Sequence, residues 1–196
     1  MPALSIVIPL RDEEANVWPL HDELTGVLDR VGLPYELILV DDGSTDATFA
    51  RLREVHAADP RVRVIRFTRN FGQTAAFAAG FAAARGRLIV TSDGDLQNDP
   101  ADIPRLLELA PGHDIVCGWR RQREDAFLTR QLPLITPNWL LSWLSGVKLH
   151  DNGCSLKVFR AEVVKALKLR PGMHPYLPAI ASQLGDRVGE GGVNQR

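Results

Sequence analysis

The chain of 196 residues is 45% apolar and 24% charged, a globular balance that excludes a disordered chain and fits one ordinary domain. A domain of this size buries about 70% of its unfolded surface, so it needs no disulfide staples, and Cys117 and Cys154 lack metal-site spacing and fit a reducing compartment. A formal net charge of −1 gives no overall pull toward nucleic acid or membrane.

Taken in chain order, Met1 to Pro9 has neither a basic start nor a long apolar stretch, so it reads as a strand rather than a signal peptide. Leu4 to Ile8 is a β-branched apolar run of the kind found in buried parallel strands. After the charged loop Arg11 to Glu14, apolar residues recur at Val17, Leu20, Leu24, Val27, Leu28 and Val31 with helical spacing, and Asn16 stands at the N-cap. A second strand, Leu37 to Val40, runs into Asp41-Asp42-Gly43-Ser44, and a helix is predicted from about Thr45 to His56. Val62 to Phe67 is a third strand and Gln73 to Ala84 an Ala- and Phe-rich helix. Leu88 to Val90 opens a fourth strand that ends in Thr91-Ser92-Asp93-Gly94-Asp95. Asp99-Pro100 is a strong helix start, a capping carboxylate before proline. Asp114 to Cys117 is a fifth strand. Strands and helices alternating at this rhythm predict an α/β domain with a largely parallel central sheet. The glycine-rich segment from Gly185 to Arg196 reads as a frayed end or truncation point.

Ligands of open α/β sheets bind beyond the carboxyl ends of the strands, where both acidic clusters fall. Such carboxylates have a plain reading as helix caps or solvated loop residues. An Asp-x-Asp alone is a weak signal, but two acidic clusters at two strand ends of one sheet favour a site. Asp95 and Gln97 offer hard oxygens suited to Mg²⁺ or Mn²⁺, which fills its shell with phosphate oxygens and water. Asp93 is then free to contact a donor hydroxyl.

Ile8-Pro9-Leu10-Arg11-Asp12-Glu13, Val40-Asp41-Asp42-Gly43-Ser44-Thr45-Asp46 and Asp93-Gly94-Asp95-Leu96-Gln97, in that order, resemble the signature of family 2 glycosyltransferases of GT-A fold. Asn70-Phe71-Gly72-Gln73, Gly118-Trp119-Arg120 and Asp151-Asn152-Gly153-Cys154-Ser155-Leu156-Lys157 are similar to the polyprenyl-phosphate members of that family. The resemblance implies a catalytic domain over residues 1–190, with 191–196 as a tail, and an inverting, metal-dependent transfer from a UDP- or GDP-sugar to a polyprenyl phosphate. It implies that Pro9, Arg11, Glu13, Asp41 and Asp42 line the base and ribose pocket. Asp93 would touch the nucleoside or sugar, and Asp95 and Gln97 would hold Mg²⁺ or Mn²⁺. The family usually has an aromatic residue and Asn where this chain has Arg11 and Asp12, which leaves the base open.

On the acceptor side the resemblance implies that Arg120 and Arg130 grip a phosphate, with Ser155 beside them and Asp151 orienting the nucleophile. Asp151 also reads as a turn residue before Gly153. Leu132 to Leu149, with Trp139 and Trp143, reads equally as a core helix or as an interfacial helix at a bilayer surface. No run reaches the roughly 20 apolar residues of a membrane span. His150 and His174 read as structural. A cytoplasmic enzyme at the membrane face, in peripheral contact with it and binding no nucleic acid, is the expectation, with a homo-oligomer left open. Two rival readings stand: a transferase with a soluble or polysaccharide acceptor, for which Asp151 would be the general base, and a nucleotide-sugar-binding fragment without turnover, since relatives often carry C-terminal transmembrane helices.

Overall fold

The computed structural model describes residues 2–120, 151, 153–167, 169, 172–183, 185 and 187–194. Its strands are β1 (Leu4–Leu10), β2 (Tyr35–Asp41), β3 (Val62–Arg66), β4 (Leu88–Thr91), β5 (Ile115–Arg120), β6 (Lys157–Arg160) and β7 (Val188–Val193). The helices are α1 (Val17–Val31), α2 (Thr48–Ala58), α3 (Gln73–Ala83), α4 (Ile103–Leu109), α5 (Ala161–Ala166) and α6 (Leu177–Gln183). All seven strands form one sheet in the order β3-β2-β1-β4-β6-β5-β7. It is parallel except where β6 runs against β4 and β5, so the largely parallel α/β architecture expected from the alternation is present.

The central strands are buried on both faces and pack two apolar layers. On one side Ile6, Ile8, Leu37 and Leu39 meet Leu20, Leu24 and Leu28 of α1, Leu52 of α2 and Leu106 of α4. On the other, Val7, Ile38, Val40 and Phe159 meet Phe77 and Phe81 of α3, Val164 of α5 and Leu177 of α6. The chain moves outward from β1 to β3 with α1 and α2 on the first face, then returns to the far side of β1 through α3 on the second. Right-handed crossovers demand that change of face, and the reversal makes a topological switch point between β1 and β4, where a crevice opens at the carboxyl ends. Pro9 fits there because the β1–β4 ladder stops at Val7↔Thr91. The Ser92 amide donates to the Val7 carbonyl, so Pro9, two residues on, faces the same side beyond the last pair and its missing N–H costs no ladder bond.

Several elements differ from the sequence pattern, and two of the differences have a plain physical reason. Helix α2 begins at Thr48 rather than Thr45, because the Asp46 side chain caps the Thr48 amide at 2.9 Å while Ser44 and Thr45 are held by Asp12. The glycine-rich end does not fray: residues 188–193 form β7, in parallel register with β5 from Ile115↔Val188 to Arg120↔Val193. Its glycines serve close packing, since a Cβ at Gly191 would collide with Leu106 of α4 and one at Gly189 with the His113 ring. Among the described residues no helix is long and apolar enough to cross a membrane.

Candidate active site

Three loops meet at the switch point. The turn after β2 is the tightest: Asp41 is fully buried, and its Oδ1 accepts the Ser44 amide at 3.0 Å. Among the described residues its Oδ2 has no hydrogen-bond partner, and the Arg66 guanidinium pairs with it at 3.6 Å. A buried carboxylate oxygen left unmatched is costly and marks an acceptor prepared for a ligand's donor. Asp42 spends its two oxygens on the amides of Phe71 and Gly72, at 2.8 and 3.0 Å. Gly43 has φ +70° and lies so close to the Arg69–Asn70 backbone that any Cβ would overlap it, so only glycine fits.

The loop after β1 is laced to this turn. Asp12, at φ +55°, receives the Thr45 amide on Oδ1 at 2.7 Å and donates its own amide to Ser44 Oγ at 3.0 Å. The Glu13 amide reaches Thr48 Oγ1 at 2.7 Å. Arg11, half exposed, lies 3.6 Å from Asp12.

The turn after β4 carries the second cluster. Asp93 accepts Gln73 Nε2 at 2.6 Å and the Ser155 hydroxyl. Burial pushes its pKa up and the neighbouring Asp95 adds to that, while Ser155, Lys157 and Gln73 pull it down. Leu96 takes φ +63°, an outlier for a branched residue. Asp95, one residue earlier, is exposed, with Oδ1 accepting the Gln97 amide at 3.1 Å.

Pro9, Arg11, Glu13, Asp42, Asp93 and Asp95 therefore line a single cleft of about 450 Å³, together with Asn70, Gly72 and Gln73. It adjoins a hollow of about 620 Å³ between Ser44, Thr45, Arg66 and Arg69, and Arg11 and Asn70 line both. Asp41, fully buried, lines neither hollow, but contacts Ser44 and Arg66 of the second. A larger cavity of about 740 Å³ opens beside Leu4, Leu88 and Arg160, at the opposite strand ends and away from both acidic turns.

The residues fit a divalent cation. Asp95 presents an exposed carboxylate whose Oδ1 accepts the Gln97 backbone amide, and the mutual repulsion of Asp93 and Asp95 would be relieved by a positive charge. Among the described residues no three His, Cys, Asp or Glu side chains converge to cage an ion unaided. A cation here would complete its shell with ligand oxygens and water, as Mg²⁺ does with phosphates.

The acceptor-side residues are arranged differently from their separate expectations. Arg120, at the end of β5, does not present a free fork: Nε and Nη2 are held by the Asp151 carboxylate at 2.5 and 3.0 Å. Asp151 is 5% exposed and also accepts the Gly153 amide at 3.0 Å, so the turn reading and the site reading are both served. The Ser155 hydroxyl accepts Asn98 Nδ2 at 2.8 Å and bonds Asp93, which makes it part of the wall behind Asp93. Arg130, His150 and the apolar segment Leu132 to Leu149 lie outside the described residues. His174 packs on Phe77 and meets Thr74 Oγ1 through Nδ1 at 2.8 Å; burial, then Lys157, lowers its pKa.

Three residues of this wall had no assigned role in the sequence: Gln73, Thr74 and Lys157. The Asn70–Gln73 segment carried the signal for the first. Lys157, only 4% exposed, closes the Asp151–Lys157 motif, which carried its signal.

A largely parallel sheet with acidic turns gathered at its switch point is the arrangement of a GT-A glycosyltransferase. Residues 5–167 match the glycosyl transferase family 2 domain, and the chain belongs to that family. It is 46% identical over 192 residues to the dodecaprenyl-phosphate galacturonate synthase of Rhizobium johnstonii, covering 95% of this chain and 57% of that protein. It is 40% identical over 190 residues to the undecaprenyl-phosphate 4-deoxy-4-formamido-L-arabinose transferase of Shewanella sediminis, covering 95% and 57%. The chain thus spans a little over half the length of these relatives. In fold it resembles the glucosyl-3-phosphoglycerate synthase of Mycobacterium tuberculosis, with a TM-score of 0.75 at 23% identity over all of this chain and 72% of the other. That enzyme has been crystallised with Mn²⁺, UDP and glucosyl-3-phosphoglycerate.

Proposed function

We propose that this chain is the catalytic domain of an inverting, divalent-metal-dependent transferase that moves a sugar from a nucleoside diphosphate to a polyprenyl phosphate. The observation that carries the reading is the convergence of the β2 and β4 acidic turns on one cleft, with a buried Asp41 oxygen in the β2 turn that has no hydrogen-bond donor among the described residues. The family relatives act on polyprenyl phosphates, as their names state, and a fold neighbour binds UDP with Mn²⁺.

Asp41 Oδ2 accepts a base N–H, and Arg11, lining both hollows, lays its guanidinium plane on the base. Asp93, fixed by Gln73 and Ser155, accepts a donor hydroxyl. Asp95 and Gln97 would hold the cation, Mg²⁺ or Mn²⁺, which would supply positive charge to the departing diphosphate. A lipid phosphate oxygen attacks the anomeric carbon from the face opposite the diphosphate; the carbon–oxygen bond to the diphosphate breaks and the nucleoside diphosphate leaves with the electron pair. The nucleophile is already ionised at neutral pH, so Asp151 need not take a proton. Paired with Arg120, it orients the acceptor side, and placement alone lowers the barrier. The lipid tail confines the reaction to a membrane face, the cytoplasmic one, with the domain in peripheral contact.

A panel of UDP- and GDP-sugars, UDP-galacturonate first, assayed with detergent-solubilised polyprenyl phosphate and Mg²⁺ or Mn²⁺, tests the reading through nucleoside diphosphate release. Release that requires both cation and lipid phosphate is expected. Equal release in chelator, or with a soluble sugar in place of the lipid, contradicts it.

A further inference from the structure

We propose that Gln73 is the positioning residue for Asp93 in the transfer step, and that the first turn of α3 is the rigid mount that makes it one. This rests on the function proposed above and assigns a part of the reaction to residues that stand outside the acidic motifs.

Gln73 Nε2 donates to Asp93 Oδ1 at 2.6 Å, from a side chain that itself lines the donor cleft. Asp93 lies two residues past the end of β4, in a turn with Gly94 after it and Leu96 in the left-handed region three residues on, outside the ladder that would fix its carboxylate. Its orientation comes from donors on other elements, Gln73 on α3 and Ser155 before β6.

A long glutamine is a useful mount only if its base is immobile, and here the base is tied on two sides. Toward β2, both oxygens of Asp42 take the Phe71 and Gly72 amides immediately before the helix. Toward the C-terminal half, Thr74 Oγ1 accepts the Gly172 amide at 3.1 Å and meets His174 Nδ1 at 2.8 Å. Three consecutive residues, Gly72, Gln73 and Thr74, therefore join the β2 turn, the β4 turn and the segment around His174. Misplacement of a reacting group by about 1 Å can cost 100-fold in rate, so a device of this kind has a kinetic rather than an affinity signature.

Gln73→Met keeps the length and removes the donor; Gln73→Lys keeps a donor of similar reach. In the transfer assay above, Gln73→Met is expected to lower kcat by about 10- to 100-fold with the donor KM moved less than about 3-fold. Calorimetric affinity for UDP with Mn²⁺ should stay within about 3-fold of wild type, because Gln73 holds neither the base nor the cation. Gln73→Lys should recover most of kcat, and Thr74→Val, acting through the mount, should give the same split in weaker form. A Gln73→Met protein with wild-type kcat overturns the inference, as does a parallel loss of UDP affinity or a Gln73→Lys protein no better than Gln73→Met. Wild-type protein that releases no nucleotide from any donor overturns the proposed function itself, and this inference with it.

Discussion

Asp151 illustrates how much one side chain carries here. It is buried, closes a turn through the Gly153 amide and receives two bonds from the Arg120 guanidinium. Removing one partner of such a pair leaves the other charge buried and uncompensated, which costs about 3–5 kcal/mol. Asp151→Asn should therefore lower stability by about 3 kcal/mol in denaturant unfolding, and an unchanged midpoint would show that Arg120 finds another anion. The sequence exposes the two residues but not their union, because Arg120 and Asp151 are 31 positions apart and no local pattern links them. Asp93 and Asp95 are legible for the opposite reason: their spacing, glycine and position after an apolar run are all local. Ser155 reads as a phosphate ligand by resemblance, yet its hydroxyl is engaged by Asn98 and Asp93, a geometry set by the antiparallel return of β6.

Among the elements, α3 has the least sequence contrast and the most work. Its Ala- and Phe-rich run is apolar nearly all round, which predicts burial but no facing direction. The structure supplies the direction: Gly80 lies against Val7 of β1 so closely that a Cβ would overlap Val7 Cγ1. Gly80→Val should force the helix off the sheet and cost about 1–3 kcal/mol, read as a lower thermal midpoint; a variant of wild-type stability would mean that α3 shifts without resistance. The strands of the first half are legible to within a residue or two because period and β-branching agree. Strand β7 is not, since glycine has no side chain to show a pattern, and its reason for being there lies in Leu106 and His113 overhead. Helix α2 starts late because polar residues that look like helix are spent on binding the Asp12 loop.

At the scale of the whole molecule, the strand order decides where function falls. Alternation gives the α/β class and the acidic strand ends give a candidate crevice, but the order β3-β2-β1-β4, which sets the β2 and β4 turns on either side of β1, is a long-range fact outside any local motif. Among the described residues it leaves an opening at the carboxyl ends with the acidic turns and a bigger one at the amino ends beside Leu4 and Arg160. Chemistry rather than size selects between them, because the first is lined by Asp42, Asp93 and Asp95 of the two acidic turns. A crystal soaked with UDP and Mn²⁺ discriminates most directly. The nucleotide is expected across the hollow shared by Arg11 and Asn70, its base N–H on Asp41 Oδ2 and its diphosphate joined to Asp95 through manganese. A nucleotide bound at the amino ends of the strands, or a cleft that stays empty beside Asp95, would contradict the account.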